Sequence, residues 1–236
     1  MRDLIRKILF KLNIPLTENL HNDILLKKII QKVIQPTDSA IDIGAHKGEI
    51  LDLFCYYAPN GKHFAFEPIP YFYDKLRRQF KNVAIYPFAL SNETGEKDFF
   101  WIKNHPAYSG LNKRKFSENT STEKITVQVK QLQEIIPTTT RIKFIKIDVE
   151  GAEILVLKGA ENILKINKPY IVFEFGLGGS DYYQTTADDM YEYLSGMQYK
   201  LYSFDNFLAH SAPYTKETFN KVYQDNSVYN FIAVPE

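Results

Sequence analysis

Cysteine is nearly missing from the 236-residue sequence, and this scarcity limits the chemistry available to the chain. Cys55 is its only cysteine, so no disulfide can form within the chain and no cysteine framework can hold a metal. Long apolar runs are also missing. Near the N-terminus, charges interrupt every apolar run before it reaches the length of a signal peptide or a membrane span. We therefore expect a reducing compartment, and the cytoplasm is the predicted location.

An excess of charge of either sign is likewise absent. The chain has 29 Lys and Arg against 28 Asp and Glu, a formal net charge of +1. Proteins that bind nucleic acid depend on positive charge, so we expect no nucleic-acid partner. No stretch rich in Gly, Ser or Pro divides the sequence. We predict one domain over residues 37–236, preceded by a helical extension over residues 1–36.

The first part of this extension is amphipathic. Apolar residues at helical spacing oppose basic ones: Leu4, Ile5, Ile8, Leu9 and Leu12 against Arg2, Arg6, Lys7 and Lys11. A helix of this kind either packs on its own domain or lies on an anionic membrane surface. Packing is the favoured interpretation, and peripheral contact with the inner face of the membrane is the alternative.

Short β-rich runs alternate with helical patterns after residue 37. The runs cover residues 39–43, 63–66, 84–88, 143–147, 170–175, 199–204 and 229–234. This alternation predicts a Rossmann-like, doubly wound α/β fold with a mainly parallel seven-stranded sheet. A longer polar segment, residues 91–140, contains two additional predicted strands at 98–102 and 124–129. Insertions of this length commonly shape binding sites.

A strand that ends in a glycine-bearing turn forms the first motif, which reads Ala40-Ile-Asp-Ile-Gly-Ala-His-Lys-Gly48. Gly44 permits a tight turn, and Gly48 lets the following helix approach the strand. The fingerprint of NAD and FAD sites has a further glycine that makes room for pyrophosphate, and this turn lacks it. A ligand without phosphates fits better, and Asp42 suits its ammonium end.

An acidic residue, Glu67, closes the second predicted strand in Phe64-Ala-Phe-Glu-Pro68. It lies about twenty residues beyond the glycine turn, the spacing at which an acid accepts hydrogen bonds from ribose hydroxyls. Glu67 alone would be an ordinary strand-end acid. In combination with the turn, it predicts a nucleoside cofactor.

The second motif, Phe144-Ile-Lys-Ile-Asp-Val-Glu-Gly-Ala-Glu153, places Asp148 and Glu150 at the end of the fourth predicted strand. Ligands of open α/β sheets bind at that edge. Lys146 is anomalous in an interior strand, which should be apolar on both faces, and fits better as a charge partner near a site. Glu174 repeats the strand-end pattern on the next strand.

Together these blocks resemble the FkbM family of class I methyltransferases. The resemblance rests on Asp42 to Gly48, Phe66-Glu-Pro68, Ala89-Leu-Ser91 with Gly95 following, Lys146 to Glu153, and Pro169 to Glu174. It implies a seven-stranded fold that binds S-adenosylmethionine and methylates hydroxyls on sugars, polyketides or other secondary metabolites. His46 departs from the family turn, which commonly carries Asn at that position.

The resemblance also implies which residues bind the cofactor. It assigns the methionine portion to Asp42, Gly44, Ala45 and Gly48, the ribose to Glu67 with Pro68 beside it, and the adenine to Ala89 and Leu90. We therefore predict an S-adenosylmethionine-dependent O-methyltransferase acting on a small-molecule or glycan acceptor.

Methyl transfer to oxygen requires alignment of the reacting atoms and a base that takes the proton. Asp148 is the predicted base or acceptor-orienting residue, with Lys146 as its charge partner. Glu150 either shares this catalytic role or stabilises the loop through backbone amides. Ser109 and Glu174 are candidates for contact with the acceptor.

Two alternatives remain open from the residues alone. Asp148, Glu150 and Glu174 carry oxygen ligands of the kind that a divalent metal prefers, but no clear metal triad is visible, so a metal is not favoured. A non-catalytic cofactor-binding or scaffold protein of the same fold is the other alternative, because a fold does not establish a function. The joint presence of Asp42, Glu67 and Asp148 weighs against it.

Overall fold

The computed structural model describes residues 9–115 and 119–236 and contains two sheets. In chain order the strands are β1 (Ser39–Ile43), β2 (Phe64–Phe66), β3 (Ala84–Tyr86), β4 (Phe88–Leu90), β5 (Gly95–Ile102), β6 (Thr122–Lys130), β7 (Ile142–Ile147), β8 (Tyr170–Glu174), β9 (Tyr199–Ser203) and β10 (Asn230–Pro235). Seven of them form a large sheet in the order β3-β2-β1-β7-β8-β10-β9. The other three form a small sheet in the order β4-β6-β5.

Helices connect the strands of the large sheet. They are α1 (Glu18–Val33), α2 (Glu49–Tyr57), α3 (Pro70–Gln79), α4 (Leu132–Ile135), α5 (Glu153–Lys158), α6 (Glu161–Asn167), α7 (Ala187–Gly196), α8 (Phe204–Leu208) and α9 (Lys216–Gln224). The strands from β3 to β8 in the sheet order run parallel, and β10 is antiparallel to both of its neighbours. The predicted doubly wound fold with a mainly parallel seven-stranded sheet is confirmed.

Helices cover both faces of the large sheet because its strands are apolar on both sides. Within β7, Ile145 and Ile147 pack in the core layer of α4, α5, α6, α7 and α9. Phe144, which points to the opposite face, packs in the layer of α1, α2, α3 and α8. This burial on two sides holds the carboxyl ends of β1, β2, β7 and β8 at one common edge.

Helix α1, the described part of the predicted extension, packs into the second of these layers. Its inward face consists of Leu25, Leu26, Ile29, Ile30 and Val33, all buried against the sheet and α2. The Thr17 hydroxyl begins the helix by accepting a hydrogen bond of 3.2 Å from the Leu20 N–H. The helix ends at Val33, three residues before Pro36. The hydrophobic core of the domain therefore includes this helix.

The membrane alternative for the N-terminus rests mainly on residues 1–8, which lie outside the described residues. Residues 9–12 are helical. Within the described ranges, no helix combines the length and apolarity needed to cross a membrane.

The prediction of one strand over residues 84–88 is wrong, because two strands share this segment. β3 ends at Tyr86, and Phe88 begins β4, which pairs with β6 in the small sheet. Pro87 separates the two because proline has no N–H to donate to a ladder. The two additional predicted strands are present as β5 and β6, longer than expected and paired antiparallel.

Candidate active site

Two clefts open at the carboxyl edge of the large sheet. The narrow cleft, about 100 Å³, lies between the ends of β1 and β2 and the small sheet, and its walls include Phe66, Glu67, Pro68, Ile69, Ala89, Leu90 and Phe99. The wide cleft, about 580 Å³, lies over β7 and β8 and is bounded by α1 and the loop after β8, with Asn22, Leu26, Lys146, Glu174, Gly178 and Asn230 among its walls. Both clefts share Gly44, His46, Ala107, Asp148 and Glu150. The two clefts are therefore adjacent chambers of one site.

The glycine turn brings β1 against the end of β7 at this junction. Gly44 has a φ of 73°, and a Cβ built there would lie 1.9 Å from the carbonyl oxygen of Asp148. No side chain larger than hydrogen fits at this distance. The Gly44 N–H donates a hydrogen bond of 3.0 Å to the Phe66 carbonyl and fixes the turn to β2.

His46 has a φ of 46°, in the left-handed region. Asn and His both adopt this region more readily than most residues, so the exchange of Asn for His keeps the backbone of the turn. The ring packs edge-on against Phe72 at 4.4 Å between centroids. Burial, with Lys47 and Lys146 nearby, lowers the pKa of His46 to about 4, so the imidazole is neutral near pH 7. Its buried Nε2 has no hydrogen-bond partner within the described part of the chain.

Glu67 is held rigidly by two backbone amides. The side chain is buried, its Oε2 accepts from the His46 N–H at 2.8 Å, and its Oε1 accepts from the Ile69 N–H at 2.9 Å. Burial raises the pKa of Glu67 to about 7 despite these hydrogen bonds. Each carboxylate oxygen can accept a second hydrogen bond, so Glu67 retains capacity for a ligand in the narrow cleft.

A buried cluster of charges links β1 to β7. The Lys146 Nζ lies 3.4 Å from the Asp42 Oδ1 and 3.3 Å from the Asp148 Oδ2, and it donates to the Gly44 carbonyl at 2.8 Å. Burial alone would lower the pKa of Lys146, but the Asp148 and Asp42 carboxylates outweigh burial and raise it. The lysine therefore stays charged and fixes Asp148 beside the glycine turn, as the predicted charge partner should.

Asp42 lies beneath the turn and is completely inaccessible to solvent. Burial raises its pKa, and Lys146 acts in the opposite direction. Among the described residues, neither of its carboxylate oxygens has a hydrogen-bond partner. Asp42 is therefore a buried acceptor with unmet hydrogen-bonding capacity next to the cleft junction.

Glu150 forms an ion pair with Arg114, which also donates to the Tyr108 and Gly178 carbonyls at 3.1 Å each. Burial and the neighbouring Asp148 raise the pKa of Glu150. The loop-stabilising contact that the sequence left open for Glu150 is made by Glu153 instead.

The Glu153 Oε1 accepts from the N–H groups of Val149 and Gly151 at 3.1 Å each, and this side chain is 1% exposed. Sequence reasoning assigned no role to Glu153 or to Arg114. Glu153 stood within the quoted motif, whereas Arg114 reaches the site from the polar segment with no local pattern to reveal it.

The two candidate acceptor residues lie in different clefts. Glu174 lines the wide cleft alone, opposite Asn230 on the paired strand. Glu174 is exposed to the cleft, and desolvation by the cleft walls, followed by the Asp148 and Glu153 charges, raises its pKa. Ser109 lines the narrow cleft, where its hydroxyl oxygen accepts from the Ile102 N–H at 2.9 Å.

The remaining predicted cofactor residues lie in the narrow cleft, in the wide cleft or outside both. Pro68, Ala89 and Leu90 line the narrow cleft, and Ala45 lines the wide cleft. Gly48 lies outside both lining sets, with a φ of 82° and no room for a Cβ, which would lie 2.6 Å from the Phe80 ring. Its position allows α2 to pack against α3. The assignment of all these residues to a cofactor stays a prediction.

The acids at the cleft junction pair with basic side chains. Across residues 9–115 and 119–236, no group of three or more His, Cys, Asp or Glu side chains is placed to hold a metal ion. Lys146 and Arg114 pair with Asp148 and Glu150, the two acids at the cleft junction.

Residues 42–201 match the methyltransferase FkbM domain, about two-thirds of the chain. The chain belongs to the methyltransferase FkbM family. The resemblance predicted from the sequence is thereby confirmed. A protein described as Methyltransferase sdnD, from Sordaria araneosa, is 31% identical, with 51% of this chain and 60% of the relative covered. The chain thus spans 60% of the length of that curated relative.

A crystal structure of Methyltransferase FkbM from Methylobacillus flagellatus KT has a similar fold, with a TM-score of 0.54. The two sequences are 14% identical, and the match covers 91% of this chain and 52% of the other. At this level of identity, the similarity concerns the fold.

The two clefts of this FkbM methyltransferase differ in how many of their residues lie within the family span, the matched residues 42–201. Every residue of the narrow cleft falls within residues 42–201. Seven residues of the wide cleft fall outside the span, from α1, α8 and the approach to β10: Asn19, Asn22, Asp23, Leu26, Phe204, Tyr229 and Asn230.

Proposed function

We propose that this protein transfers a methyl group from S-adenosylmethionine to a hydroxyl oxygen of a sugar, glycan or secondary metabolite. The observation that carries the proposal is the junction of the two clefts at Gly44 and Asp148. A methyltransferase must bring a cofactor and an acceptor together at one point, and adjacent chambers with a shared acidic residue supply that arrangement.

The narrow cleft fits a nucleoside cofactor without phosphates. The buried Asp42 carboxylate and the His46 Nε2 have unmet hydrogen-bonding capacity beside the glycine turn. In this proposal Asp42, which is buried and lines neither cleft, supports the glycine turn from behind through Lys146, Glu67 accepts from the ribose hydroxyls, and Ala89 and Leu90 contact the adenine. When bound, S-adenosylmethionine supplies a methyl group on a positively charged sulfur.

The wide cleft holds the acceptor in this proposal. Asp148 stands at the end of β7, where Lys146 fixes its carboxylate at 3.3 Å. In that position Asp148 accepts a hydrogen bond from the acceptor hydroxyl, orients its oxygen lone pair and takes the proton. Asp148 lines both clefts, so it can reach an acceptor oxygen at their junction.

Calorimetry with S-adenosylhomocysteine and with NAD tests the cofactor assignment. We expect binding of S-adenosylhomocysteine and none of NAD, because the turn lacks the glycine that admits pyrophosphate. S-adenosylmethionine labelled in its methyl group, incubated with fractionated small-molecule extracts, then tests the reaction. NMR of the labelled product should show the methyl on oxygen. Preferential binding of NAD would refute the cofactor assignment, and a methyl on nitrogen or carbon would refute O-methylation.

A further inference from the structure

The wide cleft contains an acid that differs from its neighbours. Three acids at its centre have partners: Asp148 pairs with Lys146, Glu150 pairs with Arg114, and Glu153 accepts from the N–H groups of Val149 and Gly151. The side chain of Glu174 has neither an ion pair nor a hydrogen bond with any described residue. It therefore stands as a carboxylate without a counter-ion inside a cleft that lies over the active edge of the sheet.

The surroundings of Glu174 are negative. Among the acids that line the wide cleft, Asp148 and Glu150 are paired with Lys146 and Arg114, whereas Glu153 and Glu174 have no cationic partner among the described residues. The second oxygen of Glu153 is buried and has no hydrogen-bond partner within the described ranges. Desolvation is the main cause of the raised pKa of Glu174, and the carboxylates of Asp148 and Glu153 add to it against the opposing effect of Lys146 and Arg114. This excess of acids without a cationic partner contrasts with the whole chain, whose net charge is +1.

We propose that the acceptor carries a protonated amino group and that Glu174 binds this group in the wide cleft. The proposal rests on the methyltransferase function given above. A protonated amino group presents two or three N–H donors, which match the free oxygens of a carboxylate and of a neighbouring amide. Asn230 supplies that amide, since it lies directly across from Glu174 in the register of β8 and β10.

The positive charge of the cofactor does not account for Glu174. The acids that line the narrow cleft are Glu67, Asp148 and Glu150, and these are the acids available to the cofactor there. Glu174 lines the wide cleft alone, away from the narrow one. The same excess of carboxylates repels phosphorylated and carboxylated acceptors, and like-charge contacts of this kind strongly reject wrong ligands.

Three polyols of matched size and different charge test the proposal: N-methyl-D-glucamine, sorbitol and gluconate. Their binding is measured by saturation-transfer NMR at millimolar concentrations, with the full chain saturated by S-adenosylhomocysteine. We expect N-methyl-D-glucamine to bind about tenfold or more tightly than sorbitol, because a charge-assisted hydrogen bond adds to the polyol contacts, and gluconate not to bind. The preference should decrease as salt is added.

Glu174→Gln preserves the shape of the side chain and removes its charge. In this variant we expect the preference for N-methyl-D-glucamine over sorbitol to decrease by at least about two- to tenfold. Glu217→Gln, on the exposed surface of α9, is the matched control and should keep the preference. Equal binding of sorbitol, no binding of N-methyl-D-glucamine, or a preference that is unchanged in Glu174→Gln would each overturn the proposal.

The design separates this proposal from the proposed function. S-adenosylhomocysteine binding is measured first and does not depend on Glu174. If the cofactor binds and the polyols show no charge preference, the amino-group proposal fails and the methyltransferase function stands. If S-adenosylhomocysteine does not bind, the cofactor assignment fails on its own measurement.

Discussion

The narrow and wide clefts differ in how their acids are held and in which part of the sequence forms their walls. In the narrow cleft, Glu67 is held by two backbone amides and the other walls are mainly apolar. In the wide cleft, the Glu174 side chain has no partner in the described chain, and residues from outside the family span form part of the wall. The narrow cleft therefore lies wholly within the family span and holds its acid Glu67 rigidly, whereas the wide cleft lies partly outside that span and leaves the Glu174 side chain without a partner among the described residues. In our interpretation, the cofactor is recognised within the family span, and the acceptor by Glu174 of that span together with residues outside it.

We expect the largest effect from a substitution at Gly44, where the two clefts meet. Gly44→Ala places a methyl group 1.9 Å from the Asp148 carbonyl at a φ of 73°. We expect loss of S-adenosylhomocysteine binding and a lower melting temperature, with about 1–3 kcal/mol of backbone strain added to the clash. Calorimetry and thermal unfolding measure both. Gly196→Ala, at the end of α7 with open space around it, should change neither appreciably.

Asp148→Asn tests whether the junction acid acts in chemistry or in cofactor binding. Asparagine keeps the shape and removes the base. We expect turnover with the acceptor to fall by about 10² to 10⁴ and S-adenosylhomocysteine affinity to stay within a few fold. Loss of cofactor binding would reassign Asp148 to the narrow cleft. Near-normal turnover would contradict its role as base.

Glu67→Gln and Glu174→Gln compare one acid from each cleft. Glu67→Gln should weaken S-adenosylhomocysteine by about 10- to 100-fold, because it removes charge-assisted hydrogen bonds worth about 1.5–3 kcal/mol. Glu174→Gln, in the other cleft, should leave that affinity within a few fold. Isothermal calorimetry on both variants measures the contrast. Equal losses in the two variants would mean that the clefts do not divide cofactor from acceptor.

The pH dependence of cofactor binding sharpens the assignment of Glu67. Its pKa in the unliganded fold is raised to about 7, and the ribose hydroxyls favour the ionised form. S-adenosylhomocysteine affinity should therefore fall as the pH is lowered through 7, at most about tenfold per unit. Glu67→Gln should lack this component. A calorimetric series from acidic to mildly basic pH decides, and a flat profile in the natural protein would contradict the assignment.

The raised pKa of Glu67 also predicts how the stability of the unliganded protein depends on pH. Because the folded pKa of Glu67 lies above its ordinary value of 4.5, ionisation is harder in the fold than in the unfolded chain. The unliganded fold consequently loses the contribution of Glu67 to its stability as the pH rises from about 4.5 through 7. Bound cofactor should reduce that loss.

The smallest expected effect concerns the wall that α1 gives to the wide cleft. Asn22→Ala removes an amide from this wall, and we expect KM for the acceptor to rise about two- to tenfold, the effect of one hydrogen bond. S-adenosylhomocysteine affinity should not change. Lys28→Ala, on the exposed face of the same helix, is the control. An unchanged KM in Asn22→Ala would remove α1 from acceptor recognition.

Local patterns predicted the fold where they were long and repeated. The parallel strands ending in Asp42, Glu67 and Asp148 could be placed from apolar runs and strand-end acids. Pro87 should have divided the run 84–88, because proline interrupts a ladder, yet the apolar residues on both sides concealed the change of sheet. Here the signal was present and the apolar pattern outweighed it.

Contacts between distant segments could not be predicted in this way. Arg114 reaches Glu150 across 36 positions of the sequence, and no spacing rule connects a basic residue in a polar loop to a strand-end acid. The approach of Asn22 to the wide cleft depends on how α1 docks on the sheet. Helical periodicity gives the buried face of α1, and the docking angle decides which polar residues lie over the site.

The place of β10 in the sheet has a consequence for how the chain acquires its fold. β10 is the last strand in sequence, yet it lies between β8 and β9 and pairs with both. During synthesis β8 and β9 therefore leave the ribosome without their common neighbour, and their facing edges remain unpaired until residue 235 emerges. Asn230, which stands opposite Glu174, arrives with β10, so the wide cleft is completed only after β8 and β9 have left the ribosome.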